Sequence, residues 1–75
     1  MNTAQRIIEK LGGALAVAEI VGIDVSNVHR WTYPRHRGGG GGTIPSRHLK
    51  TLLAAARERN VLLTPADFFD EEEAA

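Results

Sequence analysis

"GALAVAEIVGIDVSNVHRW", residues 13–31, holds two short apolar-patterned runs on either side of one glycine, and its reading decides the fold. The first run, residues 14–21, is alanine and aliphatic apart from Glu19, and it stops at Gly22, which can enter the left-handed region without a Cβ penalty. Asp24 then caps a helix expected over residues 25–33. Within it Val28 and Trp31 lie three apart and share a face, leaving Ser26, Asn27, His29 and Arg30 on the remaining surface. Pro34 closes that helix, because the residue before a proline is pushed out of helical geometry. Two short helices can cross steeply and touch if the first carries a small residue at the crossing and the corner allows positive φ. Ala18 and, four residues on, Gly22 meet both conditions. Val17, Val21, Ile23, Val28 and Trp31 supply the apolar interior of the pair.

The flanking sequence extends the same architecture. Asn2 and Gln5 have the spacing of a reciprocal cap, so a helix is expected over residues 3–11, with Ile7, Ile8 and Leu11 inward and Arg6, Glu9 and Lys10 in water. Gly12 and Gly13 stop it. Residues 34–43 have no apolar periodicity and contain five consecutive glycines, which reads as a flexible connection without capacity to form core. Order resumes at "TIPSRHLKTLLAAARERN", with Pro45 at a first helical position and Ile44, Leu49, Leu52, Leu53 and Ala56 as an inward stripe. Arg57 and Arg59 offset the terminus of this longest helix, and Asn60 stops it. Thr64, Pro65 and Asp67 then mark a short fifth helix that packs Phe68 or Phe69 on the core. The expectation is an all-α chain, a compact bundle of four to five helices. One domain is expected over residues 1–69, with a mobile acidic tail expected over 70–75.

Composition bounds the function. Seventy-five residues allow one small core, and the lack of cysteine removes disulfides, thiolate nucleophiles and thiolate metal ligands, in keeping with a cytoplasmic setting. The opening "MNTAQRIIEKLGG" has no apolar run long enough for a signal peptide or membrane span, so no membrane partner is expected. The formal net charge is zero, yet Asp67, Asp70, Glu71, Glu72 and Glu73 crowd the last nine positions. Residues 1–66 therefore carry nine basic against four acidic groups, a net of +5.

The steep pair of helices matches a helix-turn-helix, whose second helix is free to enter a DNA groove. The chain resembles regulators of the Cro and lambda-repressor kind, in particular short prophage-type proteins, through Gly12, Gly13, Ala16, Ala18, Val21, Gly22, Ile23, Val28 and Trp31, followed by a basic loop and then Ile44 and Pro45. The likeness covers residues 3 to about 66. Two departures are the length of the glycine run and the apolar Val25 at the start of the second helix. The resemblance implies a sequence-specific transcriptional regulator of double-stranded DNA, a repressor occupying an operator, with residues 25–33 as recognition helix. The side chains agree with that. Arg30 can donate two hydrogen bonds to guanine, Asn27 can pair with adenine, Ser26 and His29 can bond bases or phosphates, and Val25 can touch a thymine methyl. Arg35 and Arg37 suit backbone phosphates, and Tyr33 has both a packing and a phosphate-contact reading.

Rival readings differ in what they require. A nucleotide cradle needs spaced glycines between a strand and a helix, with a following lysine in the triphosphate case, and "GGGGGTIPS" has neither strand nor lysine. His29, His36 and His48 lack compact ligand spacing, so no metal is expected, and neither are catalysis, a cofactor or a small-molecule ligand. The alternative is a helical protein-interaction module, such as an antitoxin or assembly subunit. Leu15 and Ile20 are more apolar than a solvent face requires and mark a candidate homodimer surface.

Overall fold

The computed structural model describes residues 2–68, and the acidic tail and Phe69 lie outside them. Four α-helices follow one another: α1 (Thr3–Lys10), α2 (Ala14–Val21), α3 (Val25–Thr32) and α4 (Leu49–Glu58). Tight 3-10 turns cover Arg35–Arg37, Ser46–His48 and Pro65–Phe68, and no strand occurs among the described residues. The fifth helix expected near Thr64 is thus a single turn, closed by the Thr64 N–H donating to the Asp67 carboxylate at 2.8 Å and the Asp67 N–H donating to the Thr64 carbonyl at 3.0 Å. Phe68 still reaches the core from it.

Local chemistry sets each boundary. Asn2 accepts the Gln5 N–H at 2.9 Å while the Gln5 side chain accepts the Asn2 N–H at 2.9 Å, satisfying two free donors at the start of α1. Gly22 ends α2 at φ +73°, and the Ala18 carbonyl accepts both the Gly22 and the Ile23 N–H. Asp24 caps α3, its carboxylate accepting the Ser26 N–H at 2.8 Å. Helix α3 ends one residue earlier than expected, because Tyr33 is extended ahead of Pro34. Pro45 sits just outside the Ser46–His48 turn that leads into α4, and Asn60 takes a left-handed φ of 57° as that helix stops. Arg59 donates to the Ala55 carbonyl at 3.4 Å, meeting a C-terminal acceptor as its position in the sequence suggests.

The core gathers Ile7, Ile8 and Leu11 of the first segment, Val17 and Ala18 of α2, Val28 and Trp31 of α3, Leu52 and Ala56 of α4, and Ile44 and Phe68 from the connections. Helix α2 packs against α3 and α4, while α1 lies against α2, α3 and the Pro65–Phe68 turn. Val21, Ile23, Leu49 and Leu53, expected inside, are half-buried and packed on the rim of this cluster. Helix α3 therefore rests on the core through Val28 and Trp31 and keeps its opposite side free.

Residues 34–43 differ from a plain flexible connection. After the Arg35–Arg37 turn, the chain folds back over the C-terminal end of α3: Gly40 donates to the Arg30 carbonyl at 2.9 Å, Gly41 to Tyr33 at 2.9 Å and Gly42 to Trp31 at 2.8 Å. Gly42 is buried, and its carbonyl accepts the Ala4 N–H at 2.8 Å. The run thus supplies partners for the end carbonyls of α3, groups that a helix terminus otherwise leaves unpaired.

Candidate nucleic-acid interface

At 100° per residue, the buried Val28 and Trp31 set the inner side of α3, and the remaining residues fall on an outer face and two flanks. Ser26 and Arg30 are exposed on the outer face, with Tyr33 47% exposed just beyond the helix end. Asn27 occupies one flank, and His29 is as far from the buried side as Arg30 but on the other edge of the outer face, both exposed. Val25, a candidate thymine contact, is half-buried against the core. Its side chain is shared with the packing, and that limits how far its methyls extend outward.

The flank of Asn27 opens into a cleft of about 440 Å³. Asn27, Arg30 and the edge of Trp31 form one wall, Gly38–Gly40 close the end, and Arg47 and His48 of the Ser46–His48 turn form the other wall. The glycine fold-back makes this possible, because the chain returns to α3 and carries residues 46–48 alongside it. The His48 ring lies over Trp31 with centroids 5.4 Å apart and planes tilted by 36°. Partial burial and the neighbouring Arg47 charge push the His48 imidazole below its ordinary value.

The flank of His29 faces α1 across a separate shallow depression, with Gln5, Glu9 and Ala14 among its walls. The candidate residues therefore do not share one depression. Asn27 and Arg30 share the cleft, Ser26 and Tyr33 are exposed outside it, and His29 lines the depression toward α1. Arg35 and Arg37 are exposed on their own turn, and the Arg35 side chain lies along Gly41, which leaves Arg37 the freer of the two.

At the N-terminal end of α3, Asp24 stays ionised more readily than an ordinary carboxylate. Hydrogen bonds from the Ser26 side chain and backbone N–H hold its pKa down, and Arg30 adds to the effect. With that end occupied by its own carboxylate, positive charge on α3 is presented from its side.

Arg47 is a site residue that the sequence alone does not single out, and His48 stands there only as a histidine without metal-ligand spacing. Their signal is a basic pair directly ahead of α4, but only the fold-back of the glycine run puts them opposite Asn27 and Arg30. Among the described residues, no cluster of His, Asp or Glu is placed to hold a metal ion, and no helix is long and apolar enough to cross a membrane. Comparison with protein-family models, curated proteins and solved structures finds no match for this chain.

Proposed function

We propose that the protein is a sequence-specific double-stranded DNA-binding transcriptional regulator, a repressor of the phage or prophage type, in which α2, the Gly22 corner and α3 act as a helix-turn-helix. The carrying observation is the division of α3: Val28 and Trp31 buried beneath it, Ser26 and Arg30 exposed above, and Asn27 on the rim of a cleft walled by Arg30, Arg47 and His48. Eight residues at 1.5 Å each make α3 about 12 Å long, a rod that a major groove admits. Arg30 is then the guanine-reading side chain and Asn27 the adenine-reading one, with Arg37 on a neighbouring phosphate.

Selection of bound fragments from random duplexes tests the reading. Arg30→Ala should lose about 1–3 kcal/mol of preference at one base pair, whereas Arg37→Ala should weaken all sequences alike and reduce the salt slope by about one charge. Absence of any duplex complex in dilute buffer removes the reading.

A protein-interaction module is the second reading, favoured by Leu15 at 65% and Leu62 at 82% exposure. The two are compatible if Leu15 and the half-buried Ile20 contribute to a two-fold dimer, for which half-sites about ten base pairs apart are expected. Sedimentation with and without duplex separates them.

A further inference from the structure

The cleft beside α3 is asymmetric in its chemistry. Its charged walls are Arg30 from α3 and Arg47 from the Ser46–His48 turn, with His48 beside Arg47, and no carboxylate lines it among the described residues. The backbone cannot serve as an anion nest there, because the Gly38, Gly39 and Gly40 N–H groups already donate to the Arg35, Pro34 and Arg30 carbonyls. What remains is side chains: two guanidiniums that only donate, with the Asn27 amide and the His48 imidazole, each able to turn a donor inward. A guanidinium has no acceptor, and a protonated imidazole has none either, so the complementary occupant is an anion with several oxygens.

We propose that this cleft binds one phosphate group between Arg47 and His48, with Arg30 lending charge from the opposite wall, and that binding takes up a proton on His48. The assignment rests on the DNA-binding reading for its source, a backbone phosphate of the duplex that α3 enters. The same chemistry also admits free phosphate.

The proton follows from the surroundings of His48. The groups facing it are Trp31 and Arg30 from α3, Arg47 from its own turn and an uncharged glycine backbone from the loop. Lys50 follows two residues later on α4, and Asp24, at the far end of α3, acts on Arg30 from outside the cleft. Within the chain itself, desolvation and Arg47 both disfavour the imidazolium. A phosphate reverses the second effect and supplies an acceptor for the new N–H. Occupancy therefore raises the His48 pKa, and by linkage affinity rises as pH falls through the imidazole range.

The experiment follows the His48 ring resonances by NMR across that range in the whole chain, alone, with inorganic phosphate and with a selected duplex, and measures duplex affinity at about pH 6 and about pH 8. A rise of about one pKa unit on binding tightens binding by at most about tenfold, reached only well below both midpoints, so from a lowered starting value the gain at about pH 6 over about pH 8 is several-fold. His48→Phe keeps a ring against Trp31 but carries no proton, and it should remove most of that gain. His48→Gln should do the same without adding apolar surface. The difference from the parent isolates His48 from His29 and His36. Arg47→Ala should weaken duplex binding at both pH values without altering base preference. A His48 midpoint raised by duplex supports the site with DNA as the source. A midpoint raised by phosphate alone, with no duplex complex, keeps the site, assigns it to free phosphate and ends the DNA reading. A midpoint moved by neither overturns the site, whether or not duplex binds, as does a pH dependence unchanged in both His48 variants.

Discussion

Two glycine corners flank α3, and they use glycine for opposite reasons. At Gly22 the backbone sits at φ +73°, and an added Cβ would meet nothing within 4 Å, so only conformation demands glycine. Gly39 is not among the positive-φ residues, but an added Cβ would lie 2.3 Å from the Tyr33 carbonyl oxygen and 2.5 Å from the Tyr33 Cβ. Volume demands glycine there. The first requirement is local, set by α2 and its own cap, whereas the second exists only because the chain has returned to lie on the end of α3. One corner orients α3 on the core, and the other brings Arg47 and His48 to its side.

The contrast breaks most readily at Gly39. Gly39→Ala drives a methyl into main chain that cannot rotate away, at a cost of about 2–3 kcal/mol, and forces the loop off the Arg30, Trp31 and Tyr33 carbonyls. Urea unfolding should show the drop as a lower midpoint with little change in slope. A cost below about 0.5 kcal/mol, the range of an ordinary surface change, would mean that the loop is not docked and that only the Gly22 corner requires glycine. Gly22→Ala should cost less, about 1–2 kcal/mol, since only the left-handed backbone is penalised. Asparagine sharpens the distinction. Gly22→Asn should recover part of the loss because asparagine enters the left-handed region, whereas Gly39→Asn should be no better than Gly39→Ala.

The same distinction explains what was legible in the sequence. The Asn2–Gln5 reciprocal cap, the Asp24 cap and the Gly22 stop are set by neighbours a few residues away, and spacing alone locates them. The inward stripes of Ile7, Ile8 and Leu11 and of Leu52 and Ala56 follow from helical periodicity. The glycine run offers neither cue. Its order comes from hydrogen bonds to carbonyls of α3 and to Ala4, and from close approach to Tyr33, and none of these contacts leaves a local pattern. Arg47 and His48 escaped notice as site residues for the same reason. On the sequence they precede α4, and in space they belong to α3.

Asn2 tests the glycine corner from its far side. Besides capping α1, its amide donates to the Thr32 carbonyl at 3.3 Å and packs where a Cβ on Gly42 would fall. Asn2→Ala should cost about 1 kcal/mol through the cap. Asn2→Asp keeps an oxygen for the Gln5 N–H but loses the donor to Thr32, so a loss of about 0.5–1 kcal/mol there isolates the link between α1 and the end of α3. An Asp variant as stable as the parent would show that the link contributes nothing.

The smallest effect expected is one of pH, and it belongs to the Gly22 corner alone. The fold-back of the glycine run is held by main-chain hydrogen bonds that do not titrate, whereas the start of α3 hangs on the Asp24 carboxylate. Hydrogen bonds from Ser26, with Arg30 adding to them, lower the Asp24 pKa in the folded chain. The linked stability is therefore fully present above the ordinary carboxylate value and is lost as pH falls through the lowered one. Asp24→Asn retains a good cap and removes the titration. The Ser26 amide resonance should then follow the carboxylate in the parent and stay flat in Asp24→Asn, while Gly40 and Gly42 stay flat in both. Asp67, lowered chiefly by its hydrogen bond from the Thr64 N–H, leaves a residual acid sensitivity in the variant at the Pro65–Phe68 turn. Movement of the Gly40 amide in step with Asp24 would mean that the two ends of α3 loosen together, and that the conformational corner and the volume corner form one cooperative unit.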